Sequence, residues 1–269
     1  MNKKQSLLWQ IQSDQHPAPS FVFGTMHVKN DRFFQHLNPV YAAIEQVEVY
    51  AAEYDFSEQE NFHLPPDLMN IPEGKTLRDL LGDKKYEKLH AILLKAFGIE
   101  LSNFPHLLPF FLLNVIGQQV LLQNSSISLD EHLWQYALQE GKKCTGVEKF
   151  SEQLKILQEL DVQLQLKMLL DIGKNVRKYR RQLLKMADVY ETGNPQALYQ
   201  FTKKNMGKLR QKMLYQRNRI MADRIADYAH NTSFFASIGA AHLAGEKGVL
   251  RYLKQKGFQL QPISMYNRK

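Results

Sequence analysis

Ser20-Phe21-Val22-Phe23-Gly24-Thr25-Met26-His27 near the start of the chain and Ser233-Phe234-Phe235-Ala236-Ser237-Ile238-Gly239-Ala240-Ala241-His242 near its end share one pattern. In each, a run of aromatic and apolar residues stops at a glycine, and a histidine follows three residues later. Runs of this composition read as buried strands. Glycine allows a sharp exit from a strand and lets the backbone come close to a ligand. Two such strands at opposite ends predict one sheet built from both termini. The histidines would then leave at the C-terminal ends of the strands, where α/β sheets carry their sites.

Working outward, Leu7 to Ile11 reads as a first strand and His16-Pro17-Ala18-Pro19 as a turn. Pro39 to Gln46 reads as a helix, with Asn38 as its N-cap and Pro39 in its first position. Val47 to Tyr54 is rich in β-branched and aromatic residues and reads as a buried strand carrying Glu53. From about Leu64 the pattern turns helical, punctuated by Gly82, Gly98 and Gly141, with Asp83 a possible cap. Lys143 to Val147 is a short strand. Ser151 to Tyr190 is helical with few breakers except Gly173. Asn194-Pro195 opens another helix, and Gln216 to His230 is helical. Glu246 to Lys256 forms the last helix and Phe258 to Ile263 the last strand. The fold class is therefore α/β, with a mixed central sheet formed from both chain ends and a large inserted helical cap. Residues 1–269 are expected to form a single domain with its helical insertion at about 64–215. The insertion is expected to cover the cleft. Phe104, Phe110 and Phe111 would suit an apolar peptide side chain, or form an ordinary core helix.

Composition limits the function classes. Of the 269 residues 44% are hydrophobic, enough for a large core without disulfides. The single cysteine, Cys144, cannot form an intramolecular disulfide and is expected to be a small buried core residue. Leu7-Leu8-Trp9 is followed at once by Gln10, too soon for the apolar region of a signal peptide, and no apolar run reaches a transmembrane length. A cytoplasmic protein without a transmembrane segment is the expectation. The formal charge is +8, and Lys174 to Arg219 holds thirteen Lys and Arg against Asp188 and Glu191. No nucleic-acid motif accompanies this basic stretch, so a solvated helical face is expected rather than a nucleic-acid partner.

Chemistry concentrates at three positions. His27, His242 and Glu53 supply two imidazoles and a carboxylate, a sound ligand set for Mn²⁺, Co²⁺ or Zn²⁺. An open position on such an ion could activate water. Gly-x-x-His alone is short, and one histidine at a strand end is more often structural. The repeat at both chain ends raises the weight of the metal reading. His36, His63, His90, His106, His132 and His230 have no partner at ligand spacing, and no His-Glu-x-x-His or Gly-x-Ser-x-Gly motif occurs.

The chain also resembles the TraB/GumN family, which includes the TIKI proteases. The resemblance rests on Leu8-Trp9, Phe23 to His27, Pro39 to Val47 and the strand with Glu53. It continues through Leu129-Asp130, Gly141-Lys142-Lys143, Gly146-Val147-Glu148 and Gln153, and ends with Arg217-Asn218, Gly239 to Gly245 and Gly257-Phe258. It implies a fold related to erythromycin esterases and to haem-binding ChaN, and divalent-metal-dependent peptidase activity in the TIKI branch. Residue by residue, it implies His27 and His242 as the two motif histidines, Glu53 as the acid and Arg217 as a basic site residue. Arg217 could stabilise an oxyanion, or could belong to the basic solvent face. Glu148 could orient a ligand or be structural. The resulting expectation is a metal-dependent hydrolase cleaving a peptide or small-molecule substrate. Its metal ligands would be His27, Glu53 and His242, with Glu53 and Arg217 catalytic and metal-activated water the nucleophile. The alternative is a non-catalytic protein of the same fold that binds metal, haem or peptide.

Overall fold

The computed structural model describes residues 6–57, 69–122 and 126–265. The central strands are apolar because both of their faces are covered. β1 spans Leu8–Gln12, β2 Ser20–Thr25, β3 Val49–Tyr54, β4 Lys143–Glu148, β5 Phe234–Gly239 and β6 Gln259–Ile263. Every residue of β2 and β5 is buried, as is all of β3 except Tyr54. Parallel strands flanked by helices on both sides show this continuous burial rather than an in–out alternation. The sheet order is β4-β3-β5-β2-β1-β6. β5 runs parallel between β2 and β3, and β4 runs parallel to β3. β1 is antiparallel to both β2 and β6, which makes the sheet mixed and joins the two chain ends.

The helices, in chain order, are α1 Asn38–Glu45, α2 Leu77–Leu81, α3 Asp83–Phe97, α4 Pro109–Leu121, α5 Leu129–Gln139, α6 Phe150–Gln158, α7 Val162–Lys174, α8 Val176–Glu191, α9 Pro195–Met206, α10 Arg217–Asn231 and α11 Val249–Gln255. A π-helical turn, Gln211–Gln216, leads into α10. Among the described residues no helix is long and apolar enough to cross a membrane.

The chain divides into two compact units. The first comprises Met1–Phe62, Gln123–Phe150 and Met186–Lys269 and contains the whole sheet. Its interior is aromatic: Tyr50 stacks on Phe235 with centroids 5.6 Å apart, and Trp134 of α5 meets the edge of Tyr50 at 6.2 Å. The second comprises His63–Leu122 and Ser151–Lys185. Its core gathers Leu77, Leu93, Leu108, Leu112, Ile116 and Leu169, with Phe104 and Phe111 packed against it. Buried Gln165 ties this unit together, accepting from Phe110 N at 3.1 Å and donating to Leu160 O at 3.1 Å.

Several local expectations shift. Asn38 is already inside α1; Leu37 caps the helix through its backbone carbonyl, with no side-chain cap bond. Asp83 likewise lies within α3, whose cap is Gly82. Glu246 precedes the last helix, which begins at Val249 because Gly245 and Gly248 hold a tight turn before it. Cys144 is half-buried on edge strand β4 rather than in the core; burial still pushes its thiol up to about 11, which keeps it protonated and unreactive.

Candidate functional site

The parallel strands β2, β3, β4 and β5 all end on one side of the sheet, and each delivers a polar residue there. All the residues that follow belong to the first unit. β2 leads to His27, β3 carries Glu53, β4 ends on Glu148, and β5 ends at Gly239 with His242 in the turn that follows. The fifth contribution comes from the first turn of α10, where Arg217 and Asn218 are both buried.

Glu53 is the hub. Its Oε2 accepts from Gly239 N at 2.7 Å and from His27 Nε2 at 3.1 Å. Its Oε1 accepts from Arg217 Nη2 at 2.5 Å. Arg217 also donates from Nη2 to Glu148 Oε2 at 2.5 Å and from Nε to Glu148 Oε2 at 3.0 Å. Arg217 therefore does not belong to the solvent-facing basic stretch. Its guanidinium bridges the carboxylates of two strands, the forked geometry that arginine favours.

The environment separates the charge states. Desolvation alone would raise the Glu53 carboxyl, but Arg217 and His27 outweigh it and hold it well below the usual carboxylate range. Desolvation opposes charge on Arg217, yet Glu53 and Glu148 raise its pKa still further. His27 has Nδ1 2.9 Å from Asp130 Oδ2 and Nε2 against Glu53. Desolvation disfavours its cation, but these two carboxylates prevail and raise its pKa well above the imidazole norm. Its ring sits in a crowded depression with the side chain still 46% exposed, whereas Glu53 and Arg217 are enclosed. His242 is the reverse case: fully enclosed, it is pushed down to about 3 by desolvation, with Glu53 opposing the fall and Arg217 and His27 adding to it.

Gly239 lies where these groups converge. A Cβ built on it would stand 3.1 Å from Glu53 Oε2, 3.2 Å from His27 Nε2 and 3.3 Å from His242 Cδ2. A methyl group would occupy the space shared by the three residues and would fit only if their side chains gave way by a few tenths of an ångström. Among the described residues no group of three or more His, Cys, Asp or Glu is disposed to hold a metal ion as it stands. His27 and Glu53 are instead turned towards each other in a hydrogen bond.

The structure thus brings together His27, Glu53, Arg217, Gly239 and His242. It adds two residues for which the sequence had suggested no part in the site. Asp130, in the first turn of α5, accepts from Thr25 Oγ1 at 2.5 Å and faces His27. Asn218 meets His242 Nδ1 at 2.5 Å. Both lie in segments that carry the family resemblance, Leu129-Asp130 and Arg217-Asn218, and that was the available signal. Asp55 lines a cleft at the C-terminal end of β4 together with Glu148, Lys149, Arg224 and Asp227, so it neighbours the site through Glu148 but is not among the residues that meet Glu53. His132 and His230 are in structural pairs with Tyr41 and Ser13. Of the histidines named in the sequence analysis, His63 lies outside the described residues.

A family model described as "TraB/PrgY/gumN family" matches residues 7–262. A protein named "Metalloprotease TIKI homolog" from Amphimedon queenslandica is 22% identical over 320 residues, covering 97% of this chain and 62% of the relative. "Metalloprotease TIKI2" from Danio rerio is 23% identical over 321 residues, covering 95% of this chain and 60% of the relative. The chain thus spans about three fifths of the length of these relatives. No solved structure matches it significantly.

Proposed function

The chain belongs to the TraB/PrgY/gumN family, and from that premise we propose that it is a metal-dependent hydrolase, a peptidase whose divalent ion is held by His27, Glu53 and His242. The observation that carries this reading is the convergence of those three side chains on the missing side chain of Gly239. The donor types suit Mn²⁺, Co²⁺ or Zn²⁺. Two donors of a tetrahedral zinc ion, each ~2.0–2.1 Å from it, stand roughly 3.3–3.4 Å apart. His27 Nε2 and Glu53 Oε2 are 3.1 Å apart, so only a small outward shift separates their hydrogen bond from a shared ion. Charge agrees. With both imidazoles neutral, the carboxylates of Glu53, Glu148 and Asp130 exceed the one guanidinium of Arg217 by two formal charges. A divalent cation would offset that excess.

When bound, such an ion would supply Lewis acidity to polarise a carbonyl and acidify a water molecule. The protein's own residues do the rest. Arg217 and the Gly239 amide fix both oxygens of Glu53 and keep it ionised. Asp130 faces Nδ1 of His27, and that half-open ring marks the side from which a peptide or small-molecule carbonyl would approach. The positive charge of Arg217 lies one carboxylate behind the reacting position, where it favours negative charge developing on a substrate oxygen.

A second reading, a protein of this fold that binds metal, haem or peptide without turnover, is favoured by one observation. Both ring nitrogens of His27 and both oxygens of Glu53 already have partners within the protein. Metal analysis after loading with Zn²⁺, Mn²⁺ or Co²⁺, followed by mass-spectrometric screening of a peptide library, separates the two. One ion per chain, lost in the His27→Ala/His242→Ala variant, and cleavage abolished by chelation are expected. Full metal stoichiometry in the double variant would remove the ligand assignment. Stoichiometric metal without cleavage would favour the binder.

A further inference from the structure

The turn that carries the second histidine is held by a residue from another element. Asn218, fully buried in α10, donates from Nδ2 to Lys247 O at 2.6 Å. A carbonyl oxygen only accepts, so the amide must present its NH₂ end to Lys247. Reversing the amide would set two oxygens against each other at that distance. The orientation of the side chain is thereby decided, and its Oδ1 lies 2.5 Å from His242 Nδ1. An amide oxygen is an acceptor, so Nδ1 must bring the proton. In a neutral imidazole the other nitrogen, Nε2, then keeps its lone pair.

From this chain of hydrogen bonds we infer that Asn218 is a positioning residue. It fixes His242 as the Nδ1–H tautomer, with Nε2 as the nitrogen open for coordination, and it clamps the 242–247 turn through Lys247. The inference rests on the metal reading for its purpose, but not for its geometry.

The surrounding structure explains how one amide reaches both ends of that turn. Gly245 has φ +96°, a conformation L residues rarely adopt, and a Cβ there would collide with the ring of Tyr199 at 2.5 Å. The turn is therefore narrow, and it directs Lys247 O back towards α10. On the helix side, Arg217 and Asn218 are consecutive and project about 100° apart. Arg217 reaches Glu53 at the end of β3, while Asn218 reaches the turn after β5. The π-helical turn Gln211–Gln216 ends immediately before this pair. Two adjacent residues of one helix thus orient two of the three proposed ligands. Partners of this kind set the ring orientation and basicity of metal-binding histidines.

The decisive measurement is the long-range ¹H–¹⁵N correlation of the His242 ring in the metal-free protein, which reports which nitrogen carries the proton. The Nδ1–H form is expected in the wild type. Asn218→Leu keeps the volume but removes both hydrogen bonds; its His242 should lose the tautomer preference, and Zn²⁺ affinity by calorimetry should fall about 10–100-fold. Asn218→Asp retains the acceptor but loses the donor to Lys247 O, so Nδ1–H should persist while the 242–247 turn loosens; if Asn218→Leu fails to fold, the wild-type tautomer alone decides. An Nε2–H tautomer in the wild type, or an unchanged tautomer in Asn218→Leu, would overturn the inference. Should the tautomer behave as expected while no chain binds Zn²⁺, Asn218 keeps its role and the metal reading alone fails.

Discussion

The two Gly-x-x-His segments follow adjacent parallel strands, yet their imidazoles meet opposite surroundings. His27 is half-open and faces two carboxylates, Asp130 and Glu53. His242 is enclosed and meets a neutral amide, Asn218. One ring is driven towards the cation and the other away from it. The shared motif sets where each histidine leaves the sheet. What each ring then becomes is decided by residues from α5 and α10, distant in sequence. A repeated motif therefore need not repeat a role: one ring is accessible and electrostatically coupled, the other enclosed and geometrically fixed.

Removing Arg217 should affect this contrast most. Its guanidinium is the cation that balances Glu53 and Glu148, and Arg217→Met would leave both buried carboxylates without it. Breaking a buried ion pair from one side costs about 3–5 kcal/mol. Urea denaturation of the variant should show a loss of that order; a change below about 1 kcal/mol would mean the pairing contributes no more than a surface salt bridge.

Asp130→Asn removes charge from the His27 side only. The loss of a charge-assisted contact should lower stability by about 1.5–3 kcal/mol. It should also bring the His27 pKa down while leaving His242 unchanged. The sign follows from linkage. His27 has a folded pKa above its unfolded value, ~6.5, so its contribution is fully present below that pH and is lost as pH rises through the folded pKa. The gap between wild type and Asp130→Asn in the metal-free protein should therefore narrow as pH rises through that range. A gap that widens instead would assign the cation to another group.

The smallest effect needs no substitution. Across pH 5–8 the ring resonances of His242 in the metal-free protein should stay still, since its pKa is pushed down to about 3. Those of His27 should move at a higher pH than a free imidazole's, because, against desolvation, Asp130 and Glu53 raise its pKa. Titration of both rings near the ordinary imidazole value would erase the contrast.

How much of this is legible in sequence follows from where the determining residues lie. Gly24, His27, Gly239 and His242 are legible because strand, glycine and histidine are contiguous, and Glu53 because its strand has a clear composition. The mixed sheet from both chain ends is legible for the same reason: the apolar strands cluster at the two termini. Asp130 is not. Two residues after Ser128, which caps α5 together with Glu131, an acid suits the helix dipole and needs no further explanation. Its contact with Thr25 spans 105 residues. Arg217 is masked differently, as one cation in a long basic stretch. Helical phase, with the π turn before it, brings it inward, and a charge count carries no phase. Asn38 and Asp83 show the limit of cap rules, since a suitable residue adjacent to a helix can equally be its first residue.

The strand order has a consequence for how the protein is made. β5 lies between β2 and β3, so the strands leading to His27 and to Glu53 join one sheet only when the strand between them is in place. The bond from Gly239 N to Glu53 closes a separation of 186 residues, and β6 must still pair with β1 to finish the sheet. Such distant pairings form slowly, because the loop entropy is lost before the contacts can compensate it. A nascent chain that has emerged through its N-terminal strands holds the first histidine and the acid but no assembled site. The assembled cluster is thus a property of a chain that extends through His242, and a product truncated before Phe234 lacks both β5 and the second histidine.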